Sequence, residues 1–244
     1  MFRYEEIVPW GRSFEEYRAM FALSDDDLGR RMLGCADGPA SFNREARARG
    51  ASVISADPLY ALDHGTIRVR IDESYETVIS QTWDNREKFV WHRFQDPDSL
   101  GAIRLQAMDD FLADYEAGGR AGRYVASTLP HLPFQDHTFG LALCSHFLFL
   151  YSDKLDARFH QRAILELLRV AGEVRIFPLL DYNGQRSRHA AEVTQLLESK
   201  GFICEIVAVD YEFQRGGREM LRCARQGEVD PARCGDPTLL SSAN

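Results

Sequence analysis

Residues 32–60, MLGCADGPASFNREARARGASVISADPLY, constrain the fold more tightly than any other stretch of the chain. An apolar start, Met32-Leu33, runs into the small-residue turn Gly34-Cys35-Ala36-Asp37-Gly38-Pro39. A helix-forming segment follows, with Gly50 as its expected C-terminal stop. Ser52-Val53-Ile54-Ser55-Ala56 then reads as a buried parallel strand with Asp57 at its end. Strand, tight turn, helix, strand and acid in that order make a nucleotide-binding βαβ unit.

The turn has specific physical properties. Small side chains at Gly34, Ala36 and Gly38 let a ligand carrying ribose and adenine approach the backbone. Pro39 fits the first helical position, where no amide donor is needed, and the helix N-terminus offers free N–H groups to an anion. Asp57 falls nineteen positions after Gly38, near the ~20-residue offset at which an acid accepts bonds from ribose hydroxyls. A dinucleotide or S-adenosylmethionine suits such a unit. The dinucleotide fingerprint G-x-G-x-x-G needs three glycines, and only one survives whether the pattern starts at Gly34 or at Ala36. S-adenosylmethionine has no pyrophosphate and asks less of the loop, so the turn favours it.

Composition excludes several classes. At 244 residues the chain is one domain of ordinary size, and its net charge of −8 disfavours a large nucleic-acid footprint. The five cysteines, Cys35, Cys144, Cys204, Cys223 and Cys234, lack paired metal spacing and read as reduced core thiols. The histidines form no HxxxH or HxH pair, so no metal is implied. No apolar run approaches ~18 residues, and MFRYEEIVPW lacks a signal-peptide pattern, so no membrane and a cytoplasmic location are expected.

Along the chain, Ser13-Phe14-Glu15-Glu16 is a capping box that starts a helix, with Phe14, Tyr17 and Phe21 on a packing face. Two helical patterns, over 67–83 and 99–116, follow the βαβ unit, the second ending at Gly118-Gly119. Between them lies the aromatic run Lys88-Phe89-Val90-Trp91-His92-Arg93-Phe94. This 61–122 insertion is read as a cap over the pocket or a helical pair on the sheet edge. Tyr124-Val125-Ala126 and Leu141-Ala142-Leu143-Cys144 are short buried strands. Ser145-His146-Phe147 stands at a carboxyl strand end, where open α/β sheets bind ligands. His146 is thus a cofactor contact or general base, against a structural histidine. Helices are expected over 154–170 and 187–200, and strands over 173–177, 204–213 and 219–224, the last two joined at Gly216-Gly217. Asp181 and Tyr182 are candidates for substrate contact.

Five motifs in order, VPWGRSFEEY, LGCADGPASFN, ADPLY, LPFxDxxFxLALCSHFLFLY and RVAGEVRIFPLL, cover about 7–224. In them the chain resembles the class I S-adenosylmethionine-dependent methyltransferases, in particular an uncharacterised bacterial branch. The resemblance implies an α/β fold, Rossmann-like, with a seven-stranded mostly parallel sheet of order 3-2-1-4-5-7-6. It implies a methyltransferase domain over 1–224 with the helical insertion, followed by a flexible tail over 225–244. Implied cofactor contacts are Arg12, Gly34, Cys35, Ala36, Asp37, Gly38, Asp57, Pro58, Leu59, Ser127, Thr128, Leu129, Ser145 and His146, with His146 as the catalytic base. Arg12 would pair with the cofactor carboxylate. Ser127 and Thr128 offer hydroxyls where the class often has an acid for adenine. Met32 stands where the class usually has an acid and Ala36 where it has glycine. Asp37 would replace the missing acid at the cofactor ammonium, or else cap the helix that follows. The expected acceptor is a small molecule. A non-catalytic S-adenosylmethionine-binding regulator or partner subunit, and an NAD-dependent oxidoreductase, are the other readings of the same unit.

Overall fold

The computed structural model describes residues 8–225. Most of the expected tail, with Cys234, lies outside the described residues. Seven strands form one sheet: β1 (Arg31–Cys35), β2 (Ser52–Ala56), β3 (Tyr124–Val125), β4 (Phe139–Ser145), β5 (Ala171–Phe177), β6 (Phe202–Ala208) and β7 (Glu219–Arg225). Their order is β3-β2-β1-β4-β5-β7-β6. The first five run parallel, and β7 is antiparallel to both β5 and β6. This is the order the resemblance implies.

Helices cover both faces because the central strands are apolar on both sides. On one face α6 (Ala157–Val170) and α7 (Ala190–Ser199) pack on Leu33, Ala142, Cys144, Val174 and Ile176. On the other, α1 (Phe14–Met20), the short α2 (Asp25–Leu28) and α3 (Phe42–Ala48) flank a cluster containing Met32, Leu141, Leu143 and Phe177. Tyr17 and Phe42 stack there with ring centroids 4.3 Å apart. The insertion forms α4 (His64–Asp84) and α5 (Pro97–Arg120), which share a third core of Ile67, Ile71, Met108, Phe111 and Tyr115 with Tyr60 and Tyr124.

Several boundaries differ from expectation. Pro39 is not the first helical residue: Ala36 (φ 57°) and Gly38 (φ 55°) both adopt left-handed backbone, so the chain keeps turning and α3 begins only at Phe42. The anion site expected at that helix start is therefore withdrawn from the turn. Gly118-Gly119 does not end α5, which continues to Arg120. Gly118 is needed for close packing, since a Cβ there would overlap the Tyr124 ring. The strand expected over 173–177 begins earlier, at Ala171, directly after α6, so Gly172 lies within β5. The strand expected over 204–213 stops at Ala208, and residues 209–218 form a loop that returns toward the carboxyl ends of the parallel strands. Gly50 (φ 87°) and Gly201 (φ 84°) do stand just beyond the ends of α3 and α7.

Candidate functional site

A cavity of about 920 Å³ opens at the carboxyl ends of β1, β2 and β4. Arg12, Cys35, Ala36, Asp37, Gly38, Asp57, Pro58, Leu59, Ser127, Thr128, Leu129, Ser145 and His146 all line it. Gly34 does not. A Cβ at Gly34 would overlap the Asp37 carboxylate, so this glycine makes room for that side chain and not for a ligand. Asp181 is also corrected: its Oδ1 accepts from the amides of Asn183 (2.8 Å) and Gln185 (3.0 Å), which makes it a turn residue. Tyr182 does line the cavity and donates to the Tyr151 hydroxyl at 2.6 Å.

The turn after β1 is held by side chains that sequence spacing alone does not connect. Asp57 accepts from the amides of Gly38 (2.9 Å) and Leu59 (2.8 Å), so it ties the two strand-end loops together. Pro58–Ala61 form a short 3₁₀ turn capped by the same carboxylate. The Tyr60 hydroxyl donates to the Gly38 carbonyl at 2.8 Å. Burial raises the Asp57 carboxyl above its ordinary value, against the lowering effect of those amide bonds.

Asp37 is not a helix cap; Ser41 occupies that position for α3, and Asp37 bonds to side chains instead. Tyr17 Oη donates to its Oδ1 at 2.8 Å, and Ser55 Oγ donates to its Oδ2 at 2.7 Å. Burial pushes its carboxyl up to about 7, with those hydrogen bonds opposing and the neighbouring Asp57 charge assisting. Tyr17 had only a packing role in the sequence, and no spacing rule links it to a residue twenty positions on. Its one legible signal is a phenol on an otherwise apolar helix face, which must find a partner when buried.

The loop carrying Arg12 lies directly on the turn: a Cβ at Gly11 would overlap the Pro39 carbonyl, and Ser41 N donates to the Arg12 carbonyl at 3.1 Å. Arg12 Nη1 reaches only the Trp10 carbonyl (3.2 Å), and its buried Nε has no partner. Burial and the nearby Arg104 lower its pKa. Ser127 Oγ is likewise buried and unpartnered. Beneath Arg12, Glu16 belongs both to the α1 capping box and to a buried cluster with Arg104 from α5. Tyr211 Oη donates to Glu16 Oε1 at 2.9 Å and accepts from Arg104 Nη2 at 3.3 Å. Burial pushes the Glu16 carboxyl up, but Arg104 and Arg12 outweigh it and hold it below its ordinary value.

His146 has left-handed backbone (φ 50°), and its amide donates to the Phe177 carbonyl at 2.6 Å. Burial, with Arg12 and Arg104 nearby, drives its pKa well below the usual histidine range, so the ring is neutral. The cavity's upper wall comes from the insertion, including Arg70, Ser74, Val78, Leu100 and Arg104, with Phe213 and Gln214 from the 209–218 loop. Phe89 stacks on Phe213 at 4.6 Å, and Val90 N donates to the Phe213 carbonyl at 2.7 Å. Of the two readings of the insertion, it packs against the β3 side of the sheet and also overhangs the cavity. Among the described residues no cluster suited to a metal ion occurs, and no helix is long and apolar enough to cross a membrane.

A sheet of this order, with its penultimate strand in the fold running antiparallel between β5 and β6, defines the Rossmann-like fold of the class I S-adenosylmethionine-dependent methyltransferases. The chain is 32% identical over 218 residues to Uncharacterized protein MJ0045 of Methanocaldococcus jannaschii, across 89% of this chain and 96% of that protein. It belongs to the same family as that protein. No protein-family model matches. Similar solved structures include magnesium protoporphyrin IX methyltransferase from Synechocystis with bound S-adenosylmethionine, at 12% identity and TM-score 0.47, covering 87% of this chain and 78% of that one. A methyltransferase from Aquifex aeolicus is similar at 14% identity and TM-score 0.41, over 85% of this chain and 90% of that one. Likeness this distant says nothing about the site, whose reading depends on the chain's own residues.

Proposed function

We propose that this chain binds S-adenosylmethionine and transfers its methyl group to a small-molecule acceptor. The observation that carries the reading is the set of buried, unpartnered polar atoms on three residues that line one cavity, Arg12 Nε, Arg104 Nε and Ser127 Oγ. A buried polar atom without a partner costs about 1–3 kcal/mol, so each is suited to a ligand group that completes it. Arg12 would take the cofactor carboxylate, Ser127 the adenine edge, and Asp57 the ribose hydroxyls through lone pairs not used by the Gly38 and Leu59 amides. Gly38 adds to the fit, since a side chain there would point into open space beside the turn.

When bound, the sulfonium supplies an electrophilic methyl carbon; the protein supplies alignment, exclusion of water and a place for a proton. His146, neutral and open to the cavity, is suited to accept that proton. The overhanging insertion and the 209–218 loop favour a small acceptor over a polymer, since they narrow the approach to the strand ends. The cavity lies at the upper end of the ~300–1,000 Å³ range usual for small-molecule sites, which suits a cofactor with a second molecule beside it.

Titration calorimetry with S-adenosylmethionine, its demethylated product and NAD tests the cofactor. Binding of the first two and none of NAD is expected; tight NAD binding with no response to S-adenosylmethionine would refute the reading. Arg12→Gln should weaken S-adenosylmethionine by ~1.5–3 kcal/mol, the range for a hydrogen bond to a charged group. Label transfer from methyl-labelled cofactor to a panel of small molecules separates an enzyme from a non-catalytic binder.

A further inference from the structure

The order of strands divides the cavity into two halves of different chemistry. Its polar lining, Asp37, Asp57 and Ser127, follows β1, β2 and β3 on one side of the sheet. From β4 onward the lining is aromatic: Phe147 and Tyr151 follow β4, Tyr182 follows β5, and Phe213 precedes β7. Phe89 joins this half by its stack on Phe213, and Trp10 enters from the loop before α1. All of these rings except that of Tyr151 are half-buried, so each keeps part of its surface uncovered.

One polar group stands out among these rings. Tyr182 Oη donates to Tyr151 Oη at 2.6 Å, with the two rings edge to face and their centroids 4.8 Å apart. The Tyr182 amide also donates to the Leu150 carbonyl at 3.2 Å, which ties the loops after β4 and β5 together. The Tyr182 hydrogen is spent between the two oxygens, and that of Tyr151 has no acceptor among the described residues. Tyr151 is only 4% exposed, and burial raises its pKa, so the phenol keeps its hydrogen at neutral pH. The other buried tyrosines, Tyr17, Tyr60, Tyr115, Tyr124 and Tyr211, each donate to a carboxylate or carbonyl. Tyr151 differs from them and lines the cavity. A buried donor without an acceptor is rare in a folded chain, and a ligand oxygen completes it.

We propose that the aromatic half of the cavity takes a planar aromatic molecule as the methyl acceptor, and that Tyr151 donates to a carbonyl oxygen attached to its ring. Calling this ligand the acceptor rests on the methyl-transfer reading; its preference for a flat ring with an oxygen does not. The walls select by shape, because a flat ring meets their faces and edges and gains beyond the area it buries. Tyr151 selects by chemistry, because a ring without the oxygen leaves its hydrogen dry and unpaired. The carbonyl serves as an anchor. The nucleophile that faces the methyl group and gives its hydrogen to His146 is a different atom of the same ligand.

Saturation-transfer NMR titrations of the full chain test this with three probes: acetophenone, its oxygen-free isostere α-methylstyrene, and the saturated cyclohexyl methyl ketone. Acetophenone should bind about tenfold tighter than α-methylstyrene, the scale of one satisfied donor. A cavity without that donor gives the reverse order, since the hydrocarbon sheds less water on entry. Acetophenone should also bind about two- to tenfold tighter than the saturated ketone, the scale of an aromatic pair. Tyr151→Phe, checked for an unchanged melting profile, should abolish the preference for acetophenone over α-methylstyrene and leave α-methylstyrene binding as in the parent. Phe213→Leu is the second variant and should weaken both aromatic probes while keeping the ratio between them. No binding of acetophenone, tighter binding of α-methylstyrene by the parent, an equal affinity for the saturated ketone, or a preference that persists in Tyr151→Phe overturns the proposal. Calorimetry with S-adenosylmethionine on the same parent sample keeps the two readings apart. Failure of the cofactor reading appears there, and failure of the aromatic subsite appears in the probe ratios. Competition between acetophenone and bound S-adenosylmethionine would place the probe in the polar half and also overturn the subsite.

Discussion

Below the cavity, Asp37, Tyr17 and Ser55 are buried and joined hydroxyl to carboxylate within strand ends and α1. Above it, the 88–94 run and the 209–218 loop are clasped by half-buried aromatic rings and a few main-chain bonds, with Arg70 and Glu73 exposed at the rim. The floor is a polar network whose members cannot move without leaving a buried group unsatisfied, which is costly in a low-dielectric interior. The roof rests on contacts that part at little cost. The floor is therefore fitted to hold and orient, and the roof to admit. Arg104 is the exception that joins them: it belongs to α5 of the insertion, yet its guanidinium is buried against Glu16 of α1 and Tyr211 of the loop.

Removing that junction should have the largest effect. Arg104→Met leaves the buried Glu16 carboxylate without its cation, and a loss of about 3–5 kcal/mol is expected in denaturant unfolding. Adding Glu16→Gln should recover much of it, because the uncompensated charge disappears. A single variant within 1 kcal/mol of the parent would mean that floor and roof are not pinned there.

Within the floor, Gly34→Ala drives a methyl group into the Asp37 carboxylate. A destabilisation of about 1–3 kcal/mol is expected by the same measurement, as for other overpacked sites. Cofactor affinity should fall with it if Asp37 is displaced, although Gly34 itself never faces the cavity.

The floor should also show a pH signature. Asp37 titrates at about 7 in the folded protein against an ordinary value of 3.8. Between those values the folded chain keeps a proton that the unfolded chain has released, so this group lowers stability as pH rises through the window. Asp37→Asn removes that dependence. The melting temperature of the variant relative to the parent should therefore move in the variant's favour from about pH 5 to about pH 8. A constant difference would place the Asp37 value near that of a free carboxyl.

The smallest effect belongs to the roof. Phe89→Leu loses the stack on Phe213, worth about 0.5–1.5 kcal/mol beyond burial. Global unfolding should barely register it. The amide of Val90, which donates to the Phe213 carbonyl, should exchange its hydrogen faster while amides of β1 and β4 keep their protection. Equal acceleration in roof and strands would erase the contrast between them.

What the sequence determined by itself follows from local physics. Periodicity and turn chemistry marked β1, α3, β2 and the acid at position 57, because a βαβ unit writes its pattern into consecutive residues. The run Leu141-Ala142-Leu143-Cys144 marked a two-sided buried strand. The stretches lining the cavity were legible for the same reason: they lie at strand ends. Tertiary structure decided what these residues do once there. Gly34 and Asp37 looked like ligand contacts, but the glycine instead makes room for the carboxylate, and the carboxylate answers to Tyr17 and Ser55. Glu16 was legible as half of a capping box and not as the partner of Arg104, 88 positions away. Tyr17 was legible as part of a packing face and not as the donor to Asp37. Such partnerships leave no trace in spacing, because burial makes them obligatory only after distant elements have packed and excluded water from the groups between them.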